Sequence, residues 1–305
     1  MTTTNDFLLN KVKTTFGSKP ANQTLNDKIF DENGYTTAIK RATRDLTTRT
    51  LTPKKQADGT LIEALLSKKN PKSFLKQIIR YFADPPKSDG DFDDWHHKTC
   101  QGVLTCIRKY YTNQNGSDVC YGKAQKIVNM TLKGCYCLQG ADQREAYFQH
   151  CHMVLDSFTL AWYNRNTTKK VATPWSNLSE TEYKQIQYLN RENSVRGIVL
   201  HMEPFQDLTP LQREFLIWPL EIMINTVKEV NKCLGGMVEA PYVKQYFAQC
   251  QMENDFIMAN IILDKDSPAE LSHDFIQWLR KIPKNQSRKK EAANYILVKY
   301  GIDAE

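Results

Sequence analysis

Between residues 34 and 190 the apolar side chains recur at intervals of three and four, and alternation of period two has a single short candidate, residues 195–202. Intervals of three and four gather side chains on one face of an α-helix, whereas a half-buried strand needs strict alternation. The pattern is sharpest in residues 71–83, where Phe74, Leu75, Ile78, Ile79 and Phe82 form one stripe. Asn70 is the expected cap there, and Pro71 sits in the first turn, where a missing amide costs nothing. Such a chain can bury its apolar surface only by packing helix on helix, so the expected class is an all-α, multi-helix globular protein.

Helices are expected over residues 34–48, 60–67, 71–83, 95–111, 122–138, 141–151, 157–163 and 180–190. Ser179 and Glu182 have capping-box spacing before the last of these. Further helices are expected over 210–234, 240–263, 273–281 and 289–300. Residues 1–33, rich in Thr, Asn and Lys, read as a loose polar arm. The run D-P-P-K-S-D-G-D-F-D-D at 84–94 cannot be helical until its end, with Asp93 or Asp94 capping the next helix. It divides a segment 34–90 from a main helical domain 91–305.

The 305 residues are 41% hydrophobic and 25% charged, the composition of a soluble globular protein. Residues 215–224, the most apolar run, are interrupted by Pro219 and Glu221, so no transmembrane helix is expected. The opening M-T-T-T-N-D shows no secretory pattern, and the eight cysteines lie in apolar helical segments. They read as reduced thiols of a cytoplasmic protein. The net charge of +7 is concentrated at Lys68, Lys69, Lys72, Lys76 and Arg80 and again near Lys281, Lys284, Arg288, Lys289 and Lys290. Patches of this kind favour polyanions, so nucleic acid is the expected partner.

Residues 121–163 carry the most chemistry. In Y-G-K-A-Q-K, Gly122 allows a tight turn, Ala124 a close backbone approach, and Lys126 falls near the start of a helix. The positive end of the helix lowers an amine's pKa and makes it a better nucleophile. Asp156 precedes S-F-T-L-A-W-Y, where a carboxylate caps a helix and is held ionised by its amides. A fixed carboxylate beside a nucleophilic amine suits cleavage of an N-glycosidic bond: one stabilises the cationic sugar, the other captures C1′ as a Schiff base. Lys133 is a second candidate amine.

Gly122-Lys123-Ala124-Gln125-Lys126 resembles the hairpin of the helix-hairpin-helix DNA glycosylases of 8-oxoguanine type, and Val154-Leu155-Asp156 resembles their proline-valine-aspartate loop. The resemblance covers about 45 residues, with Ala124 in place of the second hairpin glycine and Leu155 before the aspartate. It implies Lys126 as Schiff-base nucleophile, Asp156 as catalytic carboxylate, and Gly122, Lys123 and Ala124 as the grip on a DNA phosphate. An extruded base would then lie among Trp162, Tyr163, Phe158 and Trp175. The reading calls for no metal and no cofactor.

Three other constellations stand beside it. Cys120, Cys135, Cys137, His150, Cys151 and His152 include soft zinc ligands at spacings unlike those of zinc fingers. Residues 91–97, D-F-D-D-W-H-H, could serve Mg²⁺ or Mn²⁺, or simply open a helix with an acidic turn. Arg144 and His150 match the loose arginine–histidine spacing of the HEPN ribonucleases, in which histidine would exchange a proton and arginine hold the phosphate charge. A helical binding factor without catalysis, of phage or mobile-element type, fits the same basic patches.

Overall fold

Helix α1 (Glu32–Thr50) begins where the Asp31 carboxylate accepts hydrogen bonds from the amides of Asn33 and Gly34, each at 2.9 Å. The computed structural model describes residues 24–191 except 56, 57 and 168. It also describes residues 9–10, 13–14, 16–18, 208–215, 217–218, 221, 250–253, 256–259 and scattered positions from 276 to 303. The chain divides into two units, one of residues 13–195 with 207–214, the other of residues 1–12, 196–206 and 215–305. Among the described residues the protein is all-α apart from two short antiparallel pairs of strands.

In the first unit α1 runs into β1 (Leu51–Pro53), followed by α2 (Leu61–Leu65), opened by a reciprocal capping box between Thr60 and Glu63. Helix α3 (Phe74–Ala83) buries Phe74, Leu75, Ile78, Tyr81 and Phe82, as its periodicity demands. Each such side chain contributes about 1.5–3 kcal/mol of transfer free energy. Helix α4 (Asp89–Tyr110) leads into β2 (Tyr111–Asn113), which pairs with β1 so that Leu51 faces Asn113 and Pro53 faces Tyr111. The C-terminal ends of α1 and α4 are thereby latched together. Helices α5 (Tyr121–Cys135), α6 (Ser157–Asn166) and α7 (Glu180–Arg191) come next, with a 3-10 segment at Asp142–Phe148 between α5 and α6. Ser179 and Glu182 cap α7 as the sequence suggests.

Helix α5 is the axis of this unit, packed chiefly against α1 and α4. All of its residues except Lys126 and Met130 are buried. A Cβ on Gly134 would stand 3.0 Å from that of Ala38 on α1, so the glycine sets how closely the two helices approach. An aromatic cluster of Phe30, Tyr35, Phe82 and Phe148 covers one end, with the Phe30 and Phe82 rings 4.7 Å apart edge to face.

Several expectations are corrected. Helix α3 starts at Phe74 with Ser73 as cap, because Asn70 accepts from the Lys72 amide and closes a preceding turn instead. Ser88 caps α4, so Asp93 lies inside that helix, and the expected boundary at residue 90 falls within a single unit. The expected loose arm is anchored in its described part: Leu25 is fully buried, Lys13 pairs with Asp142, and Phe16 lies under the Arg41 guanidinium. Residues 141–151 tighten into the 3-10 segment. In the second unit, where the spacing predicts a helix over 240–263, β3 (Cys250–Glu253) pairs antiparallel with β4 (Phe256–Ala259). Residues 195–202 lie outside the described residues. No helix among the described residues is long and apolar enough to cross a membrane.

Candidate functional site

Five polar side chains of α5 reach out to neighbouring segments. Lys123 Nζ donates to the Thr50 carbonyl at 2.7 Å, meeting the negative end of α1. Gln125 donates to the carbonyls of Gly122 and Leu155 at 2.8 and 2.9 Å. Lys126 Nζ lies 3.6 Å from Asp156 Oδ2 and 4.4 Å from the centre of the Trp175 ring. Asn129 bonds to the Tyr183 hydroxyl, and Lys133 pairs with Glu214, both nearly solvent-free. Burial raises the Glu214 carboxyl, and the Lys133 charge lowers it against that effect.

Lys126 and Asp156, 30 positions apart in sequence, therefore meet. Asp156 caps α6: its Oδ1 accepts from the amides of Phe158 and Thr159 at 2.9 and 3.2 Å, and Thr159 Oγ1 accepts from the Asp156 amide at 2.8 Å. The Lys126 side chain retains 16% of its exposure and that of Asp156 10%. Both contacts of the amine use its positive charge, whereas a Schiff-base nucleophile needs a free lone pair.

The remaining residues of that constellation lie elsewhere. Gly122, Lys123 and Ala124 make the first turn of α5 instead of a hairpin, and all three are buried. Glycine is required at 122 for another reason: a Cβ there would stand 2.0 Å from the carbonyl oxygen of Trp175, whose segment crosses the helix. The Gly122 amide donates to the Leu178 carbonyl at 3.0 Å. Trp162 and Tyr163 are buried in the core, 1% and 0% exposed, and present no stacking face.

A second constellation is assembled by α4, the extended segment before α6, and α7. Asp89, Asp93 and His96 share one face of α4 at helical spacing, and His150 and His152 flank Cys151 just after the 3-10 segment. His150, in the turn after the 3-10 segment, has Nδ1 2.7 Å from Asp89 Oδ1, and His152 Nε2 lies 2.8 Å from Asp93 Oδ1. Arg191, the last residue of α7, joins the two pairs. Its guanidinium donates to Asp93 Oδ2 at 2.8 Å and to the His150 carbonyl at 2.9 Å, and its Nε lies 3.6 Å from Asp89.

Behind these pairs the hydrogen bonds run inward in one consistent order. His96 Nε2 donates to Asn129 Oδ1 at 2.9 Å, and Asn129 Nδ2 donates to the Tyr183 hydroxyl at 2.8 Å. With its oxygen so occupied, Tyr183 donates to His152 Nδ1 at 2.7 Å, which places the His152 proton on Nε2, facing Asp93. Burial drives His152 down to about 4, despite the opposing pull of Asp93, and drives His96 well below its ordinary value. Burial raises the Asp93 carboxyl, but His152 and Arg191 outweigh that and bring it to about 2. This inner part is thus a set of neutral imidazoles holding four elements in register.

The outer pair is different. The bond to Asp89 fixes the His150 proton on Nδ1 and leaves Nε2 as an acceptor. The Gln149 side-chain amide lies 2.7 Å from that Nε2. Asp89 is 57% exposed and His150 16%, so solvent reaches the pair. An imidazole oriented by a carboxylate, with its other nitrogen unprotonated, is a general base.

Arg144 does not join His150; its guanidinium packs over the Phe30 ring and donates to the Gly140 carbonyl. Among the described residues no three His, Cys, Asp or Glu side chains are placed to hold a metal ion. Cys135, Cys137 and Cys151 are buried, with Cys151 Sγ 3.4 Å from the Tyr81 hydroxyl. Of the D-F-D-D-W-H-H side chains, Asp93 is taken up by the Arg191 guanidinium at 2.8 Å and by His152 at 2.8 Å. Sequence reasoning missed Asp89, Asn129, Tyr183 and Arg191. The i, i+4, i+7 spacing of Asp89, Asp93 and His96, and the two-turn spacing of Tyr183 and Arg191, were the available signals.

No protein-family profile matches the chain, and neither a curated protein nor a solved structure does.

Proposed function

We propose that the protein acts on nucleic acid, cleaving RNA by acid–base transesterification at His150. The observation that carries this reading is the Asp89–His150 pair, partly open to solvent, with Nε2 as acceptor and an amide donor beside it. His150 Nε2 takes the proton of a ribose 2′-hydroxyl, and that oxygen attacks the adjacent phosphorus. The P–O5′ bond breaks, a 2′,3′-cyclic phosphate forms, and the imidazolium returns its proton to the departing 5′-oxygen. On substrate binding the Gln149 amide, which in the free protein donates to Nε2, turns to the charge developing on the phosphate and frees that lone pair, while Arg191 holds both carboxylates in position. General acid–base catalysis of this type contributes about 10²–10⁴-fold. An end-labelled RNA should yield cyclic-phosphate ends, with His150→Ala slower by at least about 100-fold. Equal cleavage of the all-deoxy strand, or undiminished rates in His150→Ala, would overturn the assignment.

A second reading, base excision from DNA by a glycosylase-like mechanism, is favoured by the 3.6 Å approach of Lys126 and Asp156. Borohydride trapping on damaged duplex DNA tests it. A covalent adduct lost in Lys126→Gln supports excision, and its absence with wild-type protein removes this reading.

A further inference from the structure

Beside the His150 pair lies a surface pocket of about 670 Å³, walled by Gln77, Arg80, Tyr81, Lys87, Asp91 and Trp95, with Asp84, Pro85 and Pro86 at its edge. Its aromatic face is that of the half-buried Trp95, backed by the buried Tyr81, with the two ring centroids 4.5 Å apart at a tilt of 46°. Its rim is basic. Arg80 is exposed, and neither it nor Lys87 makes an ion pair among the described residues. Lys76 sits one turn before Arg80 on α3, and the exposed Lys72 precedes the helix. Lys68, by contrast, is taken up by Glu32 at 2.6 Å.

Tyr81 and the chain itself link the pocket to the acid–base pair. The Tyr81 hydroxyl donates to the Tyr147 carbonyl at 2.6 Å and touches Cys151, so it straddles His150 in sequence. Lys87 and Asp89 are separated only by Ser88, which keeps their Cα atoms within about 7 Å. We propose that this pocket seats one base of a single-stranded nucleic acid, whose backbone follows Lys72, Lys76 and Arg80. The inference rests on the nucleic-acid reading of the His150 site and supplies its substrate class.

The chemistry matches on three counts. An aromatic face accepts any unstacked base, at about 1–3 kcal/mol per stacking contact. A row of cations neutralises successive phosphates and releases their counterions. Asp84 and Asp91 accept hydrogen bonds from the exocyclic amines of adenine, cytosine and guanine, which uracil and thymine lack. A duplex keeps its bases stacked and cannot fill the pocket.

Fluorescence anisotropy on the full chain tests this with a labelled single-stranded DNA of mixed sequence, about 15 nucleotides long, at about 50 mM salt. The deoxy strand has no 2′-hydroxyl, so binding is read apart from cleavage. Wild type should bind it at least about tenfold more tightly than the matching duplex, and a thymine-only strand should bind more weakly. Arg80→Glu/Lys87→Glu should weaken binding by at least about tenfold and flatten its salt dependence. Lys169→Glu/Lys170→Glu, which reverses two charges at other exposed positions, should change it less than about threefold. Wild-type affinity in the Arg80/Lys87 variant, equal losses in both variants, or preference for duplex would each overturn the proposal. Binding that persists while RNA stays intact removes the transesterification reading and leaves the binding site standing.

Discussion

Acid should loosen the first unit through its buried imidazoles before it reaches the carboxylates. His152 has an ordinary value of 6.5 and is held at about 4 in the fold. In the unfolded chain it takes up a proton as pH falls through 6.5, while in the fold it stays neutral until about 4. The stability linked to it is therefore complete above 6.5 and drains away between 6.5 and 4. A displacement of this size corresponds to about 3 kcal/mol at 1.36 kcal/mol per unit. His96, lowered in the same sense by burial, adds to the loss. Asp93, lowered from 3.8 to about 2, acts only below that window. Glu214 works in the opposite sense, because its raised carboxyl protonates first in the fold. The comparison that isolates the imidazole is wild type against His152→Gln, by urea unfolding followed through near-ultraviolet circular dichroism from pH 7.5 to 4.5. The variant should start less stable and lose less with acid. Parallel curves for the two proteins would show that His152 is not held neutral, and the hydrogen-bond order deduced for Tyr183 and Asp93 would fall with it.

Helix α5 and its neighbours supply two further outcomes. Gly122→Ala puts a methyl 2.0 Å from the Trp175 carbonyl, which no rotamer relieves, so thermal melts should show a loss of about 2–3 kcal/mol; an unchanged midpoint would contradict the crossing geometry. Asp156→Ala removes the α6 cap and the partner of Lys126, costing about 1–2 kcal/mol, whereas Asp156→Asn keeps a capping oxygen and should recover most of that. Equal melting of the two variants would show that the cap contributes nothing.

The all-α class was legible because apolar periodicity is local: the buried faces of α3 and α5 can be read residue by residue. Helix starts were less legible, since Asn70, Asp93 and Asp94 are as good on paper as Ser73 and Ser88, and only the folded chain decides which oxygen meets an amide. Two helix-start signatures suffice to expect Lys126 beside Asp156, but not their burial, because Trp175 and Glu214 arrive from distant sequence. The glycine at 122 reads as a turn in sequence when its task is to admit a crossing segment. The Asp89–His150–Arg191 grouping joins three elements up to 102 positions apart (191 − 89), a distance over which single-sequence patterns carry no register.

Because Lys126, Asn129 and Lys133 of α5 each meet a side chain of a different neighbour, those three contacts are poorly altered on one side alone. Losing Glu214 strands the Lys133 ammonium, and losing Tyr183 takes from His152 Nδ1 its hydroxyl donor and from Asn129 one of its acceptors. Substitutions along this helix must come in couples. In any set of divergent sequences sharing the fold, positions 126 with 156, 133 with 214 and 129 with 183 should drift together, so that their covariation would trace the helix's surroundings without any coordinates at all.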